Sequence, residues 1–363
     1  MRCRVATIFM CLPIALLAAS VGGSASGSDY HIYCSVTGQQ AIVQLRLDSE
    51  SGTLRSEHRI GTPGEPGALT VTDDGRFLYA SMRSTGRLCS FAVDSASGQL
   101  SLLNAVDVGA DPAHVSVAPG GRFLFSAYYV EGGVAVHRIE RDGTLSQQAL
   151  QWVPTEQRAH AIAADATGRY VFVPHTSPNR IYQFRFDADS GLLSVAEPAF
   201  LQRPENTGPR HLTWAPMAPV MFVDNEQGSS VTSYRMDDQG QLTALSTATS
   251  LPEDAAVRQN SNAEVLIHPR GRWLYVANRG HDSIALISVS EAGSRLKFEG
   301  AFATQQTPRS FSVTSDGRWL LAAGQASGNL EVYRIDPDNG GLTSVGVARV
   351  GTQLWWVTTH PAE

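Results

Sequence analysis

Short apolar runs, each bounded by turn residues, recur along this chain at a steady interval. Phe77-Leu78-Tyr79-Ala80, Phe123-Leu124-Phe125-Ser126, Tyr170-Val171-Phe172-Val173, Trp273-Leu274-Tyr275-Val276 and Trp319-Leu320-Leu321-Ala322 are five of them, each preceded by Gly-Arg. Aromatic and aliphatic runs of this length read as buried strands. His31-Ile32-Tyr33-Cys34 and Val220-Met221-Phe222-Val223 occupy two further places in the same phase, with the turn altered.

A second marker runs beside the first. An Asp-rich turn closing on Gly-x-Leu ends at Leu54, Leu100, Leu145, Leu193, Leu242, Leu296 and Leu342, about 45–54 residues apart. Aspartate and glycine suit tight hairpins because they tolerate turn dihedrals other residues avoid. A third strand follows each core run, as in Leu88-Cys89-Ser90-Phe91-Ala92-Val93, and a fourth, more polar one follows each Gly-x-Leu turn. Four strands in seven repeats predict an all-β, seven-bladed β-propeller. The first repeat lacks its innermost strand, and residues 351–360 have that strand's pattern. The propeller is therefore expected to be closed by the C-terminal strand, which removes an exposed sheet edge.

Composition narrows the setting. The chain has 363 residues, is 42% hydrophobic and carries a net charge of −6, which argues against a nucleic-acid partner. Met1-Arg2-Cys3-Arg4, an apolar run from Val5 to Ala19 and a Gly/Ser-rich stretch to Ser28 form a secretory leader. The expected division is a signal peptide over residues 1–27 and one propeller domain over residues 28–363, periplasmic or secreted, monomeric and free of the membrane once cleaved. Cys34 and Cys89 remain after cleavage and are expected as buried free thiols; no spacing of cysteine and histidine points to zinc.

Equivalent positions of a radial repeat form rings about the axis. Two residues beyond the proline that opens an innermost strand stand Ala68, His114, His211 and Ser310; His160 and Glu264 take that place in their repeats. Arg210 and Arg309 precede it, and Asn225, Glu226, Asn278 and Arg279 follow core strands toward the same mouth. The Gly-Arg arginines recur in repeat after repeat and belong to the architecture, and His268 reads as structural.

Gly208-Pro209-Arg210-His211, Asn225-Glu226-Gln227-Gly228-Ser229-Ser230-Val231, Thr307-Pro308-Arg309-Ser310-Phe311 and Ala322-Ala323-Gly324-Gln325 resemble the propeller-type 6-phosphogluconolactonases and the related fungal carboxymuconate lactonizing enzymes. The resemblance covers essentially all of the chain beyond the leader. It implies an active site of one histidine, two arginines and a glutamate, matched here by His160, Arg210, Arg279 and Glu226. It departs at Ala161, where relatives carry serine, at Tyr129, where asparagine is common, and after Glu264, where a histidine two places on is absent.

The expected activity is hydrolysis of a sugar lactone, phosphorylated as in the family or unphosphorylated because of the leader. A muconate-type cycloisomerase and a non-catalytic ligand-binding propeller are the alternatives. Glu226 or His160 is expected to activate water, with Arg210 and Arg279 on the oxyanion. His211, His114, Glu264, Arg309 and Asn225 are expected to bind the small-molecule lactone or organic acid. No cofactor or metal is required, although Glu226, Asn225 and Glu264 are the donors a calcium-dependent lactonase would use.

Overall fold

The computed structural model describes residues 29–256 and 259–362, so the expected leader lies outside the described residues. The described residues form seven four-stranded antiparallel sheets arranged as propeller blades. The helical segments among them are three 3-10 turns, Thr37–Gln39, Arg83–Thr85 and Glu291–Gly293. From the axis outward, blade five runs Pro209–Trp214, Val220–Asn225, Ser230–Met236 and Leu242–Thr249. Blades two, three, four, six and seven repeat this order. In blade three the outer strand, Gln151–Pro154, starts well after the predicted turn, and Leu145 makes only an isolated bridge to Ile139.

Blade one mixes the two ends of the chain. Leu354–Pro361 pairs antiparallel with Tyr30–Val36 and supplies the innermost strand. Seven apolar clusters make up the core, and each joins two neighbouring blades, such as Phe125 and Val134 of blade three with Val171 and Phe184 of blade four.

The two sequence markers keep phase because they touch. The Gly of each Gly-x-Leu turn lies on the first residue of the preceding blade's core run. Gly143 lies on Phe77, Gly191 on Phe123, Gly240 on Tyr170, Gly340 on Trp273 and Gly52 on Trp319. Where the core run lacks its aromatic start, Gly98 meets His31 and Gly293 meets Val220. The neighbouring core tyrosines donate to the same turns: Tyr79 Oη to Gly143 O at 3.1 Å and Tyr275 Oη to Gly340 O at 2.8 Å. Four of the five Gly-Arg arginines lie over the rings that follow them, as Arg76 over Phe77 and Arg272 over Trp273, while Arg318 pairs with Glu50 and Arg334 covers Trp319. Cys34 and Cys89 are buried free thiols.

One irregularity recurs at the axis. From Pro209 to Leu212 the inner strand advances three residues while its partner advances two, from Asn225 to Val223. The same one-residue excess separates Pro66 from Leu69, Pro112 from His114, Asn262 from Val265, Pro308 from Ser310 and Leu354 from Trp356. In blade four it lies between the Ala159–His175 bridge and Ala163. A β-bulge interrupts in–out alternation and re-aims side chains. Successive residues such as Arg210 and His211 can therefore both serve the axis.

Two tests follow from this packing. Gly143 has φ +84° and no room for a Cβ beside Phe77. Gly143→Ala should therefore cost more than about 1 kcal/mol in urea denaturation; an unchanged midpoint would contradict the interblade contact. Deletion of residues 351–363 removes the innermost strand of blade one and should leave no cooperatively folding protein. Recovery of a soluble, heat-stable truncated chain would show that closure is dispensable.

Candidate active site

Two rings of side chains gather where the bulges meet. The first holds His114, His160, His211, Glu264 and Trp356, from five different blades. His211 is its centre: its ring centroid lies 5.0 Å from that of His160, 5.5 Å from His114 and 5.6 Å from Trp356. Its Nδ1 lies 2.8 Å from Glu264 Oε1. Its backbone N–H donates to Asp224 Oδ1 at 2.6 Å, which pins the bulge.

Arginines dominate the second ring. Arg210 is 1% exposed and approaches Glu226, Nε to Oε1 at 3.7 Å. That is beyond hydrogen-bond reach, and Nε and Nη1 of Arg210 are buried without a partner. Arg279 pairs closely with the same Glu226 oxygen and donates to Asn262 O at 2.9 Å. The Arg309 guanidinium lies 3.6 Å from the ring centroid of Trp355, with Arg83 at 5.8 Å from the same centroid. Arg83 is held by Asp111, and Arg158 lies over Tyr129.

The chain enters several inner strands through left-handed residues: Arg158 (φ 73°), Gly208 (φ 65°), Thr307 (φ 56°) and Gln353 (φ 55°). Glycine takes this conformation freely, whereas β-branched Thr307 does so under strain. Thr307 leads directly into Pro308-Arg309, so the strain sits at the candidate site.

Burial sets the protonation. It pushes Asp224 up to about 7 and Glu264 up to about 8, in both cases against the opposing pull of Arg210. Burial acts to raise Glu226 as well, but Arg210 and Arg279 outweigh it and hold that carboxyl below its ordinary value. Burial, followed by the neighbouring charges, drives His114, His160 and His211 well below the ordinary imidazole value, so all three are neutral near pH 7. Burial and Arg279 bring Arg210 down to about 10 against the opposing pull of Glu226, Asp224 and Glu264, so it stays charged at neutral pH.

Of the expected site residues, His114, His160, Arg210, His211, Glu226, Glu264, Arg279 and Arg309 are brought together. Asn225 is not: its Nδ2 donates to Ser230 Oγ and Thr232 Oγ1 on the next strand outward. Asn278 turns the same way, toward Ser250 O and Ser283 Oγ. The three donors of the calcium reading therefore separate, with Glu226 on arginines, Asn225 on the outer strand and Glu264 on His211.

Sequence reasoning missed Arg83, Asp111, Asp224, Trp355 and Trp356, and it read Tyr129 only as a departure from the family. The repeat held the signal for most of them. Arg83, Tyr129, Glu226 and Arg279 each follow the core-strand residue that pairs just before the bulge, Met82, Tyr128, Asn225 and Asn278, and Trp356 stands where His211 does. Asp224 occupies a place that other blades fill with Ser35, Ser81, Ala127, Pro174, Ala277 or Ala323.

Two cavities bear on the choice of site. One of about 200 Å³ is lined by Leu69, His114, Ala163, His211, Glu264, Phe311 and Trp356, one inner-strand residue from each blade, which puts it on the axis; Arg210, Glu226, Arg279 and Arg309 are not in its lining. A wider cleft of about 640 Å³ between blades two and three is lined by turn residues such as Arg76, Arg122 and Glu140. It gathers none of the buried titratable groups, so the axis is the candidate.

Buried neutral imidazoles make the fold acid-sensitive. An unfolded histidine takes up a proton near pH 6.5, whereas folded His114 and His160 resist it. Their contribution is complete above about pH 6.5 and is lost below it, at roughly 1.4 kcal/mol per pH unit for each ring. Asp224 and Glu264, with raised values, act in the opposite sense over the same range, so the test is a difference: between pH 6.5 and 5 the Tm of wild type should drop relative to that of His160→Asn, and a constant gap between the two proteins would contradict the assignment.

Comparison with known proteins agrees with this fold. The family model described as Lactonase, 7-bladed beta-propeller matches residues 30–358. A 6-phosphogluconolactonase of Enterobacter sp. (strain 638) is 32% identical over 91% of this chain and 98% of its own length. The 6-phosphogluconolactonase of Pectobacterium carotovorum subsp. carotovorum (strain PC1) is 30% identical over 90% of this chain and 84% of its own. Among solved structures, the periplasmic gluconolactonase of Pseudomonas aeruginosa is similar with a TM-score of 0.85 at 25% identity, covering 93% of this chain and 100% of that one. The chain belongs to the seven-bladed β-propeller lactonase family.

Proposed function

We propose that this protein hydrolyses a sugar lactone at the axial site, with Arg210 as the main electrophilic group. The observation that carries this reading is the pair of buried, unpartnered guanidinium nitrogens on Arg210, Nε and Nη1. A fully buried cation with free donors is already desolvated and oriented. When water adds to a lactone carbonyl, the carbonyl oxygen gains negative charge, and donors fixed in advance stabilise it most. Arginine suits both this oxyanion and the carboxylate product because its planar fork pairs with two oxygens.

Glu226 takes a different part from the one expected of a base. With Arg210 and Arg279 on it, its proton affinity is low, and general bases work best with values near the operating pH. Its role is to hold the two guanidiniums apart and in register. Arg309 and Arg158, seated on Trp355 and Tyr129, extend the cationic lining and favour an electron-rich sugar or its acid.

An unphosphorylated aldonolactone is the proposed substrate. The basic, apolar and small-residue pattern at the N-terminus supports export, and the similar Pseudomonas protein is named a periplasmic gluconolactonase. The test is acid release from D-glucono-δ-lactone and from its 6-phospho form, corrected for spontaneous opening, with and without chelator. Hydrolysis of the unphosphorylated lactone, insensitive to chelator, is expected. Arg210→Ala should lower the rate by roughly 10²–10³. Activity on the phosphorylated lactone alone would overturn the substrate assignment. No hydrolysis of either, with consumption of a muconate-type diacid instead, would replace the lactonase with the cyclase reading.

A further inference from the structure

We propose that His211, oriented by Glu264, is the general base of the hydrolysis, a role that rests on the lactonase reading above. The argument begins with a comparison of the three axial imidazoles. His160 has a buried Nδ1 with no hydrogen-bond partner. His114 Nδ1 accepts the Ile162 N–H at 3.4 Å, so the neutral ring carries its proton on Nε2 and has no lone pair there to offer. His211 alone of the three has a carboxylate on its ring, Glu264 Oε1 at 2.8 Å from Nδ1.

That contact decides the tautomer. Glu264 Oε1 also accepts the Val265 N–H at 3.2 Å, so the carboxylate is held in place. With Glu264 ionised, Nδ1 must carry the hydrogen, and the lone pair lies on Nε2. Nε2 has no hydrogen-bond partner among the described residues. A carboxylate on one imidazole nitrogen and a reacting group at the other is the arrangement by which histidine activates a nucleophile. The ring is further fixed by His114, His160 and Trp356, and its backbone by Asp224.

The step balances without any further reagent. Water gives a proton to His211 Nε2 as its oxygen bonds to the lactone carbonyl carbon, and the negative charge passes to the carbonyl oxygen beside Arg210. Collapse breaks the ring carbon–oxygen bond. The departing alkoxide takes the proton back from Nε2, and the new carboxylic acid then ionises to solvent. His211 is the catalytic residue in this scheme and Glu264 a positioning residue.

The charges that face the pair set its pH response. Arg210, Arg309, Glu226 and Arg279 act on His211, and Arg210 and Asp224 on Glu264. Burial dominates at both groups and pushes Glu264 up to about 8. Below that pH the pair holds one proton too many for Nε2 to accept another. Activity should therefore rise with pH through about 8.

The test compares wild type, Glu264→Gln and His211→Gln on the lactone that the wild type opens. Both variants should lose roughly 10²–10⁴ in kcat with KM little changed, and the rising limb near pH 8 should vanish in Glu264→Gln, whose amide does not titrate. Wild-type activity with both variants at wild-type kcat overturns the proposal and leaves the lactonase reading standing. A wild type inactive on every lactone overturns that reading first. Nitrogen NMR of the wild type gives an independent measure that does not require the variants to fold. At about pH 9 the His211 ring should be the Nδ1–H tautomer; an Nε2–H tautomer there overturns the proposal.

Discussion

In each blade the innermost strand carries one residue more than the strand beside it, and the functional geometry depends on that excess. A regular strand would send Arg210 and His211 to opposite faces. The bulge lets consecutive residues both reach the axis, so each blade can contribute to two levels. One level holds imidazoles, Glu264 and Trp356; the other holds guanidiniums. In blade five the bulge is also held by a side chain, because Asp224 accepts the amide of His211. A serine does the same in blade two, where Ser81 Oγ accepts the Ala68 N–H at 3.0 Å.

Dryness at the axis turns this geometry into chemistry. Charges buried without full pairing are costly, and such groups shift their proton affinity or persist only where the surroundings hold them. Here burial raises Asp224 and Glu264, lowers three histidines and leaves Arg210 charged. Glu226 alone is pulled below its ordinary value, because two guanidiniums outweigh its burial. Carboxylates in one small volume thus behave as a fixed anion and as titrating partners. Such separation by environment is how one site holds groups for opposite tasks.

Much of this arrangement could be read from the chain. The Gly-x-Leu turns and Gly-Arg core runs report one physical contact, the turn of one blade seated on the core strand of the blade before it. That contact explains their common phase and the altered places at His31 and Val220. The axial histidines and Arg210 were legible because blade-equivalent positions must converge. Asn225 was misjudged because a position at a strand end does not say which way its side chain turns; here it turns outward, to Ser230 and Thr232. Asp224 was invisible because a carboxylate within an apolar run has no meaning until the bulge amide beside it is seen.

The sequence alone determined the sevenfold architecture, the closing strand and the set of residues near the axis. These follow from periodicity and from the need to bury apolar runs and satisfy sheet edges, which are local or repeating constraints. Only the tertiary structure decided which carboxylate faces arginines and which faces histidine. Glu226 and Glu264 are the same residue type at the same mouth, and their roles diverge because neighbours from different blades, far apart in the chain, set their charge.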